Sequence, residues 1–294
     1  MQVTGSSIAF IGTGVMGASM AGHLLKAGAK VTVYNRTKSK ADALLAAGAA
    51  WADSPAKAAA GADVVFTMVG YPSDVEAVYM GKDGIIAASR PGAILVDHTT
   101  SDTALAVRIS AAAAAAGRVA IDAPVSGGDT GARNATLSIM CGGDEAAFAA
   151  VKPFFDVVGK TAVLQGGPGA GQYTKMANQI SVAGSLIGTV ESMIYAEKAG
   201  LDPRRVLDSI GGGAAQSAQL VNMAPRMLSG DFEPGFYSKH FLKDLRIALD
   251  SAKAMKLDMP LLALAERLFT RMQDKGFGEK GTQALYRLYK DGNQ

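Results

Sequence analysis

Two polar residues in the second half of the chain have the types and the spacing that proton transfer to a small substrate requires. Lys175 and Asn178 stand three residues apart in the stretch 172–199, whose pattern predicts a helix, so they share one helix face. Burial of a lysine on such a face lowers its pKa, and the lysine can then donate a proton to a carbonyl oxygen and accept it back. An ordinary surface lysine of an amphipathic helix is the alternative, and the spacing alone leaves both interpretations open.

A loop in the middle of the chain has the composition of an anion-binding turn. The segment 122–128, Asp-Ala-Pro-Val-Ser-Gly-Gly, follows a predicted strand and should lie at the carboxyl edge of a sheet, where such folds bind ligands. The hydroxyl of Ser126 and the backbone N–H groups of Gly127 and Gly128 can together hold a carboxylate. An ordinary Pro/Gly connection has the same composition and remains the alternative.

The first glycines of the chain predict a site for a dinucleotide. Residues 8–17 read Ile-Ala-Phe-Ile-Gly-Thr-Gly-Val-Met-Gly, an apolar strand that turns into a helix. In this motif Gly12 permits the tight turn, Gly14 lets a pyrophosphate approach the backbone, and Gly17 lets the helix pack against the sheet. The predicted contacts are Gly12, Thr13, Gly14, Val15, Met16 and Gly17. A nucleoside-triphosphate loop would need lysine in place of Ala18, which leaves an incidental strand-to-helix turn as the alternative.

The end of the second predicted strand indicates which dinucleotide is bound. An NAD site usually places Asp or Glu there to accept a hydrogen bond from the ribose 2′-hydroxyl. This chain has Asn35, Arg36 and Thr37 instead. Asn35 and Thr37 can hydrogen-bond a 2′-phosphate, and Arg36 can pair with it and stack on the adenine. The sequence therefore favours NADP(H), with NAD(H) as the alternative.

Alternating strands and helices in the first half must position these residues. Apolar stretches of strand length occur at 8–11, 31–34, 64–69, 93–97, 119–122 and 137–141, separated by Ala-rich helical stretches such as 18–27, 38–46 and 103–116. Gly28, Gly48 and Gly117 follow these helices, where glycine adopts the left-handed backbone that ends a helix. This alternation is typical of an α/β fold with a doubly wound, mostly parallel sheet.

Beyond residue 165 the pattern becomes helical. Gly-Gly-Pro-Gly-Ala-Gly at 166–171 interrupts the chain, and helical patterns follow at 172–199, 203–210, 216–228, 242–255 and 260–275. We therefore expect a dinucleotide-binding domain at 1–165 and an all-α domain at 166–294. The segment 176–196 is apolar but contains Asn, Gln, Ser and Glu, which favours a buried helix over a membrane span. Such a helix needs more cover than one small domain provides, so we expect a homodimer or homotetramer.

Composition argues against several other classes of protein. The net charge of the 294 residues is +3 and no long basic run occurs, so we expect a small anionic ligand and neither nucleic acid nor a membrane surface as partner. A lone cysteine, Cys141, and three scattered histidines predict neither a disulfide nor a metal site. The first residues do not resemble a secretion signal. Together these observations predict a cytoplasmic protein.

The chain resembles the β-hydroxyacid dehydrogenase family over nearly its whole length. Four motifs together carry the resemblance: IAFIGTGVMG at 8–17, DAPVSGG at 122–128, GAGQYTKMANQ at 169–179 and FEPGFYSKHFLKDL at 232–245. Membership implies a Rossmann domain, a long connecting helix and a helical domain that dimerises. It also implies hydride transfer between a nicotinamide cofactor and a short 3-hydroxy acid or its semialdehyde.

The resemblance also implies roles for single residues. Lys175 matches the family's catalytic lysine, and Asn178 matches an asparagine of the substrate site. The loop that binds the substrate carboxylate corresponds to Ser126, Gly127 and Gly128. Contacts with the cofactor are implied for Val69, Gly70, Thr100 and Lys243.

Three departures from the family pattern bear on the substrate more than on the reaction. Family members usually have Leu-Pro in place of Val69 and Gly70, often a second Asn in place of Gln179, and often Trp in place of Ala218. Two other functions use the same fold. An imine reductase usually replaces the lysine with Asp or Tyr, and non-catalytic dinucleotide-binding interaction proteins have lost it, so Lys175 argues against both.

Overall fold

The computed structural model describes residues 1–292. The chain divides into two compact units, the first from Met1 to Lys175 and the second from Met176 onward. The glycine cluster at 166–171, where the sequence analysis places the domain boundary, lies inside the first unit. One helix, Ala170–Lys198, runs from the first unit into the second.

Within residues 1–292, nine strands form one sheet in the first unit. The strands are β1 Ser7–Ile11, β2 Lys30–Tyr34, β3 Ala50–Trp51, β4 Val64–Thr67, β5 Ile94–Asp97, β6 Val119–Asp122, β7 Val125–Ser126, β8 Leu137–Gly142 and β9 Gly159–Gly166. The first six are parallel, in the order β3-β2-β1-β4-β5-β6, which is the order of a doubly wound dinucleotide fold. Beyond them, β8 pairs antiparallel with β6 and β7 and parallel with β9.

Helices connect the strands of the first unit. They are α1 Val15–Lys26, α2 Asp42–Ala46, α3 Pro55–Ala59, α4 Pro72–Met80, α5 Ile85–Ala88, α6 Thr103–Ala115, α7 Gly128–Arg133 and α8 Glu145–Val158, with a 3₁₀ turn at Lys38–Ala41. Gly28, Gly48 and Gly117 have positive φ angles of 91°, 103° and 72° and follow their helices as the sequence predicts.

Both faces of the sheet are buried, because side chains of one strand point alternately to two apolar clusters. In β1, Ile8 and Phe10 belong to one cluster, and Ala9 and Ile11 belong to the other. All four residues are at most 1% exposed. A strand buried on both sides reads as a continuous apolar run, which is why residues 8–11 are recognisable in the sequence. The predicted α/β class is confirmed.

The second unit is helical throughout its described residues. After α9, Ala170–Lys198, come α10 Pro203–Ile210, α11 Ala224–Ser229, α12 Ser238–Ala254, α13 Pro260–Asp274 and α14 Leu285–Gly292, with a π-helical turn at Gln219–Met223 and a 3₁₀ turn at Thr282–Ala284. Phe241 of α12 and Phe269 of α13 meet edge to face at 4.9 Å in the core of this unit. None of the helices described is long and apolar enough to cross a membrane.

Some elements differ from those predicted. The strands β3, β7 and β9 were not predicted, because the first two contain only two residues each and β9 is largely exposed. The helix predicted at 216–228 is instead a π-helical turn followed by the short α11. The dimer or tetramer stays a prediction.

Candidate functional site

The turn after β1 can be made only with glycine at two positions. Gly12 has a φ angle of +96°, and a Cβ there would overlap the carbonyl oxygen of Met68. A Cβ at Gly17 would overlap the carbonyl oxygen of Gly12, so α1 packs against the turn itself. At Gly14, in contrast, a Cβ would meet nothing within 4 Å. The turn is thus closed on its inner side and open beside Gly14.

The open side of this turn fits a pyrophosphate group. Gly14 is the N-cap of α1, a helix of 12 residues, and no side chain caps its first turn. Uncapped N–H groups and the helix dipole both favour an anion at this position. Thr13 is only 2% exposed, and its hydroxyl has no hydrogen-bond partner among residues 1–292. These features suit a dinucleotide phosphate, and the cofactor contacts of residues 12–17 stay a prediction.

The residues after β2 are linked to their surroundings in two ways. The side chain of Asn35 accepts a hydrogen bond from the N–H of Thr13 at 3.1 Å and donates one to the carbonyl oxygen of Thr37 at 2.8 Å. Arg36 extends to α4, where its Nη1 lies 3.0 Å from Oδ1 of Asp74. Asn35 therefore ties the turns after β1 and β2 together, and Arg36 is ion-paired.

The turns after β4 and β5 lie beside the glycine turn. The N–H of Met68 donates to the carbonyl oxygen of Ile11 at 2.9 Å, and the N–H of Val69 donates to Oγ1 of Thr99 at 3.0 Å. Val69 and Gly70 are therefore tied to the segment that contains Thr100. The predicted cofactor contacts of the first unit follow neighbouring strands at one edge of the sheet.

A buried polar cluster that sequence reasoning missed lies at the same strand ends. Asp97 and Asp122 are register partners at the ends of β5 and β6, each is 6% exposed, and with Tyr79 they line a cavity of about 10 Å³. Burial raises the pKa of Asp97 to about 6, although Oδ1 accepts hydrogen bonds from the Thr67 hydroxyl at 2.7 Å and the Thr99 N–H at 3.0 Å. Burial likewise raises the pKa of Asp122.

His98, the neighbour of Asp97, is buried as a neutral ring. Burial lowers its pKa to about 4. Its Nδ1 lies 2.7 Å from the carbonyl oxygen of Ala123, and because a carbonyl can only accept, the proton is on Nδ1. The ring stacks on Phe66 with a centroid distance of 5.6 Å. These contacts make His98 a structural residue of the sheet edge.

Asp122 holds the beginning of the helix that carries Lys175. Its two carboxylate oxygens accept hydrogen bonds from the N–H of Gly169 at 2.7 Å and of Gln172 at 2.8 Å. Gln172 is fully buried, and its side chain donates to the carbonyl oxygen of Thr99 at 2.8 Å and accepts from the N–H of Ser101 at 3.0 Å. The first turn of α9 is therefore fixed to the ends of β5 and β6.

Lys175 lies one turn further along this helix and is only 6% exposed. Its Nζ donates a hydrogen bond to the carbonyl oxygen of Val125 at 2.9 Å. Val125 immediately precedes Ser126 and the two glycines, whose φ angles are +133° at Gly127 and +63° at Gly128. The structure thus brings together the predicted lysine and the predicted carboxylate loop, and it shows a buried lysine rather than a surface one.

In the second unit, a chain of side chains connects Asn178 to Lys243. Asn178 donates to Oε1 of Gln179 at 2.8 Å, and Gln179 donates to Oδ2 of Asp244 at 2.6 Å. The other oxygen of Asp244 lies 3.0 Å from Nζ of Lys243. Gln179 and Asp244 are 2% and 1% exposed, so their hydrogen bonds are shielded from water. Glutamine at position 179, one departure from the family pattern, has the length that reaches α12.

Comparison with known proteins gives matches along almost the whole chain. Residues 7–167 match the family model of the NAD binding domain of 6-phosphogluconate dehydrogenase. Residues 169–289 match the model described as NAD-binding of NADP-dependent 3-hydroxyisobutyrate dehydrogenase.

Individual relatives are similar over equally long stretches. A probable mitochondrial 3-hydroxyisobutyrate dehydrogenase-like protein of Arabidopsis thaliana is 50% identical over 95% of this chain and 84% of its own. The 2-hydroxy-3-oxopropionate reductase of Escherichia coli K12 is 40% identical over 95% of both. A solved structure of Mycobacterium tuberculosis 3-hydroxyisobutyrate dehydrogenase with L-serine superimposes with a TM-score of 0.88 at 31% identity, covering 97% of this chain and 99% of that one.

Proposed function

Because the chain belongs to the β-hydroxyacid dehydrogenase family of oxidoreductases, we propose that it interconverts a short 3-hydroxy acid and its semialdehyde by hydride transfer with NADP(H). One observation carries the proposal: Nζ of buried Lys175 donates a hydrogen bond to the carbonyl oxygen of Val125, the residue immediately before the Ser126–Gly128 loop. A proton donor beside an anion-binding loop suits a substrate that has both a carboxylate and a carbonyl group.

The two parts of this arrangement have different tasks. The Ser126 hydroxyl and the N–H groups of Gly127 and Gly128 bind the substrate carboxylate. Lys175 donates its proton to the carbonyl oxygen in the direction of reduction and accepts it from the hydroxyl in the direction of oxidation. The substrates in the relatives' names, 3-hydroxyisobutyrate and 2-hydroxy-3-oxopropionate, share the required carboxylate with an alcohol or aldehyde carbon at position 3.

The cofactor is held by residues 12–17 at its pyrophosphate and by Arg36 and Thr37 at its 2′-phosphate. When bound, NADP(H) supplies or removes the hydride, and the protein supplies orientation and charge. The description of the second matching family model, which names an NADP-dependent enzyme, supports NADP(H) over NAD(H). Asn178 and Lys243 keep the roles that the family resemblance implies, contacts with substrate and cofactor respectively.

The test is turnover by variants at Lys175. We measure initial rates of NADPH and NADH oxidation with methylmalonate, tartronate and succinate semialdehydes. The wild-type protein should reduce at least one of them, faster with NADPH. Lys175→Met, which keeps the length and removes the proton donor, should lower kcat by about 10² to 10⁴, the usual contribution of one general acid.

A matched control is Lys152→Met, which removes an exposed lysine of the same unit that pairs with Asp156. It should leave the rate unchanged. Near-normal turnover by folded Lys175→Met would refute the lysine mechanism. Binding of the cofactor without turnover of any semialdehyde would refute the proposed reaction.

A further inference from the structure

Arg36, the residue proposed to read the 2′-phosphate, is held by a carboxylate that the local sequence does not show. Nη1 of Arg36 lies 3.0 Å from Oδ1 of Asp74, which is 38 residues further along the chain. The Arg36 side chain is 78% exposed and that of Asp74 is 20% exposed. The carboxylate is therefore the more buried partner of this pair.

Asp74 is fixed in position by the start of α4. Its other oxygen, Oδ2, accepts a hydrogen bond at 3.2 Å from the N–H of Tyr71, the N-cap residue of α4, and so satisfies a backbone donor at the helix N-terminus. One oxygen of the Asp74 carboxylate thus accepts from the backbone at the start of α4, and the other pairs with the guanidinium group of Arg36. Arg36 can leave the pair by rotating its side chain, whereas Asp74 stays near the site.

The position of this carboxylate has a chemical consequence for cofactor choice. An NAD site places an acid at the end of the second strand, and this chain has none at 35–37. The fold brings one to Arg36 from α4 instead. A carboxylate and a phosphate are alternative acceptors for the same guanidinium donors, so a 2′-phosphate has to displace Asp74 or share Arg36 with it. A 2′-hydroxyl has no such competitor.

We infer that Asp74 is a specificity-determining residue, which weakens the preference for NADP(H) over NAD(H) by competing with the 2′-phosphate for Arg36. The inference rests on the proposed function, which assigns the 2′-phosphate to Arg36. Because an exposed ion pair contributes little free energy, removal of the Asp74 charge should strengthen 2′-phosphate binding by about two- to fivefold. The effect should diminish as salt screens the charges.

Calorimetric titration of the intact protein with 2′,5′-ADP and with 5′-AMP, which lacks only the 2′-phosphate, tests this at low salt without any turnover. The variant Asp74→Asn removes the charge and keeps an oxygen that can accept from the Tyr71 N–H. Glu76→Gln is the matched control, because Glu76 lies on the same helix and pairs with Arg108 at 2.7 Å. It changes the net charge equally without touching Arg36.

We expect Asp74→Asn to bind 2′,5′-ADP about two- to fivefold more tightly and 5′-AMP with unchanged affinity, and Glu76→Gln to bind both like the wild type. Most of the gain should disappear when Arg36→Gln is added. Weaker binding of 2′,5′-ADP, equal changes for both ligands, or an equal gain in Glu76→Gln would each overturn the inference. If Arg36→Gln alone leaves 2′,5′-ADP affinity unchanged, the proposed NADP site itself fails, a result distinct from failure of the Asp74 competition.

Discussion

Replacement of Asp97 by Asn should make the protein more stable near neutral pH and leave it unchanged near pH 4. Asp97 is buried at the end of β5. Its Oδ1 accepts hydrogen bonds from Thr67 and Thr99, and the Asn amide oxygen can accept both. Asn therefore resembles the protonated form of Asp97 but cannot ionise.

The size of the effect follows from the pKa of Asp97. Burial raises this pKa from 3.8 to about 6. Between these values the folded protein binds more protons than the unfolded chain, so stability falls as pH rises. At 1.36 kcal/mol per pKa unit, the ionised and buried Asp97 costs about 3 kcal/mol once the pH is above its folded pKa. In Asp97→Asn this cost is absent.

The titration of His98 changes the stability of the folded protein in the opposite direction, over nearly the same pH range. Burial lowers its pKa from 6.5 to about 4, so the unfolded chain binds more protons and stability rises with pH between these values. The gain is again about 3 kcal/mol. In the wild-type protein the rise from His98 opposes the fall from Asp97. His98 and Asp122 titrate in both proteins, so the difference between Asp97→Asn and wild type isolates the contribution of Asp97.

The assay is urea unfolding of wild type and Asp97→Asn at equal protein concentration between about pH 4 and pH 7, with the free energy of unfolding taken from Cm and m. The difference between the two proteins should grow from near zero to about 3 kcal/mol in favour of the variant. His98→Asn should show the reverse trend, since its amide can still donate to Ala123. A constant difference across this range, or a wild type that is the more stable protein at pH 7, would refute the reasoning.

Two further predictions concern the dinucleotide turn and the helix of Lys175. Asp122→Asn removes one of two acceptors at the start of α9 and should lower kcat by about ten- to a hundredfold through misplacement of the lysine, with the KM for cofactor nearly unchanged. Asp144→Asn is the matched control, because it removes the charge at the N-cap of α8 and keeps the oxygen that accepts from the Ala147 N–H. Helix α8 carries no predicted site residue, so kcat should stay unchanged, and equal losses in both variants would contradict a specific role for Asp122. Gly12→Ala places a methyl group against the Met68 carbonyl at a residue with a positive φ angle. NADPH binding, measured by fluorescence titration, should weaken at least about tenfold. An affinity equal to that of the wild type would show that the turn does not hold the cofactor.

The elements that the sequence predicts well are those with a strong local pattern. The strand at 8–11 is recognisable because every side chain in it is buried. The helix ends are recognisable because glycine readily adopts the left-handed backbone that follows each helix, at Gly28, Gly48 and Gly117. The two-residue strands β3 and β7 have no such pattern, since pairing with a neighbour defines them. The π-helical turn at Gln219–Met223 likewise lacks a periodic signal of its own.

The candidate site shows the same division. The glycine turn is visible in a short motif, and Lys175 is recognised through the resemblance of residues 169–179 to the family. Asp97, Asp122 and Gln172 give no local signal, although Asp122 and Gln172 fix the helix of Lys175 to the sheet. A carboxylate at the end of a buried strand is noticeable, but only the pairing of β5 with β6 shows that two of them meet.

The amino-acid sequence by itself indicated the class of fold and a dinucleotide turn, because glycine spacing and apolar periodicity act over one or two turns of chain. The role predicted for Lys175 came from the family resemblance, since its spacing from Asn178 left a surface lysine open. The tertiary structure decided which groups those residues meet. It linked Lys175 to Val125 across 50 residues and Arg36 to Asp74 across 38. Such pairings depend on strand order and on where helices end on the sheet, so no short stretch of sequence contains them.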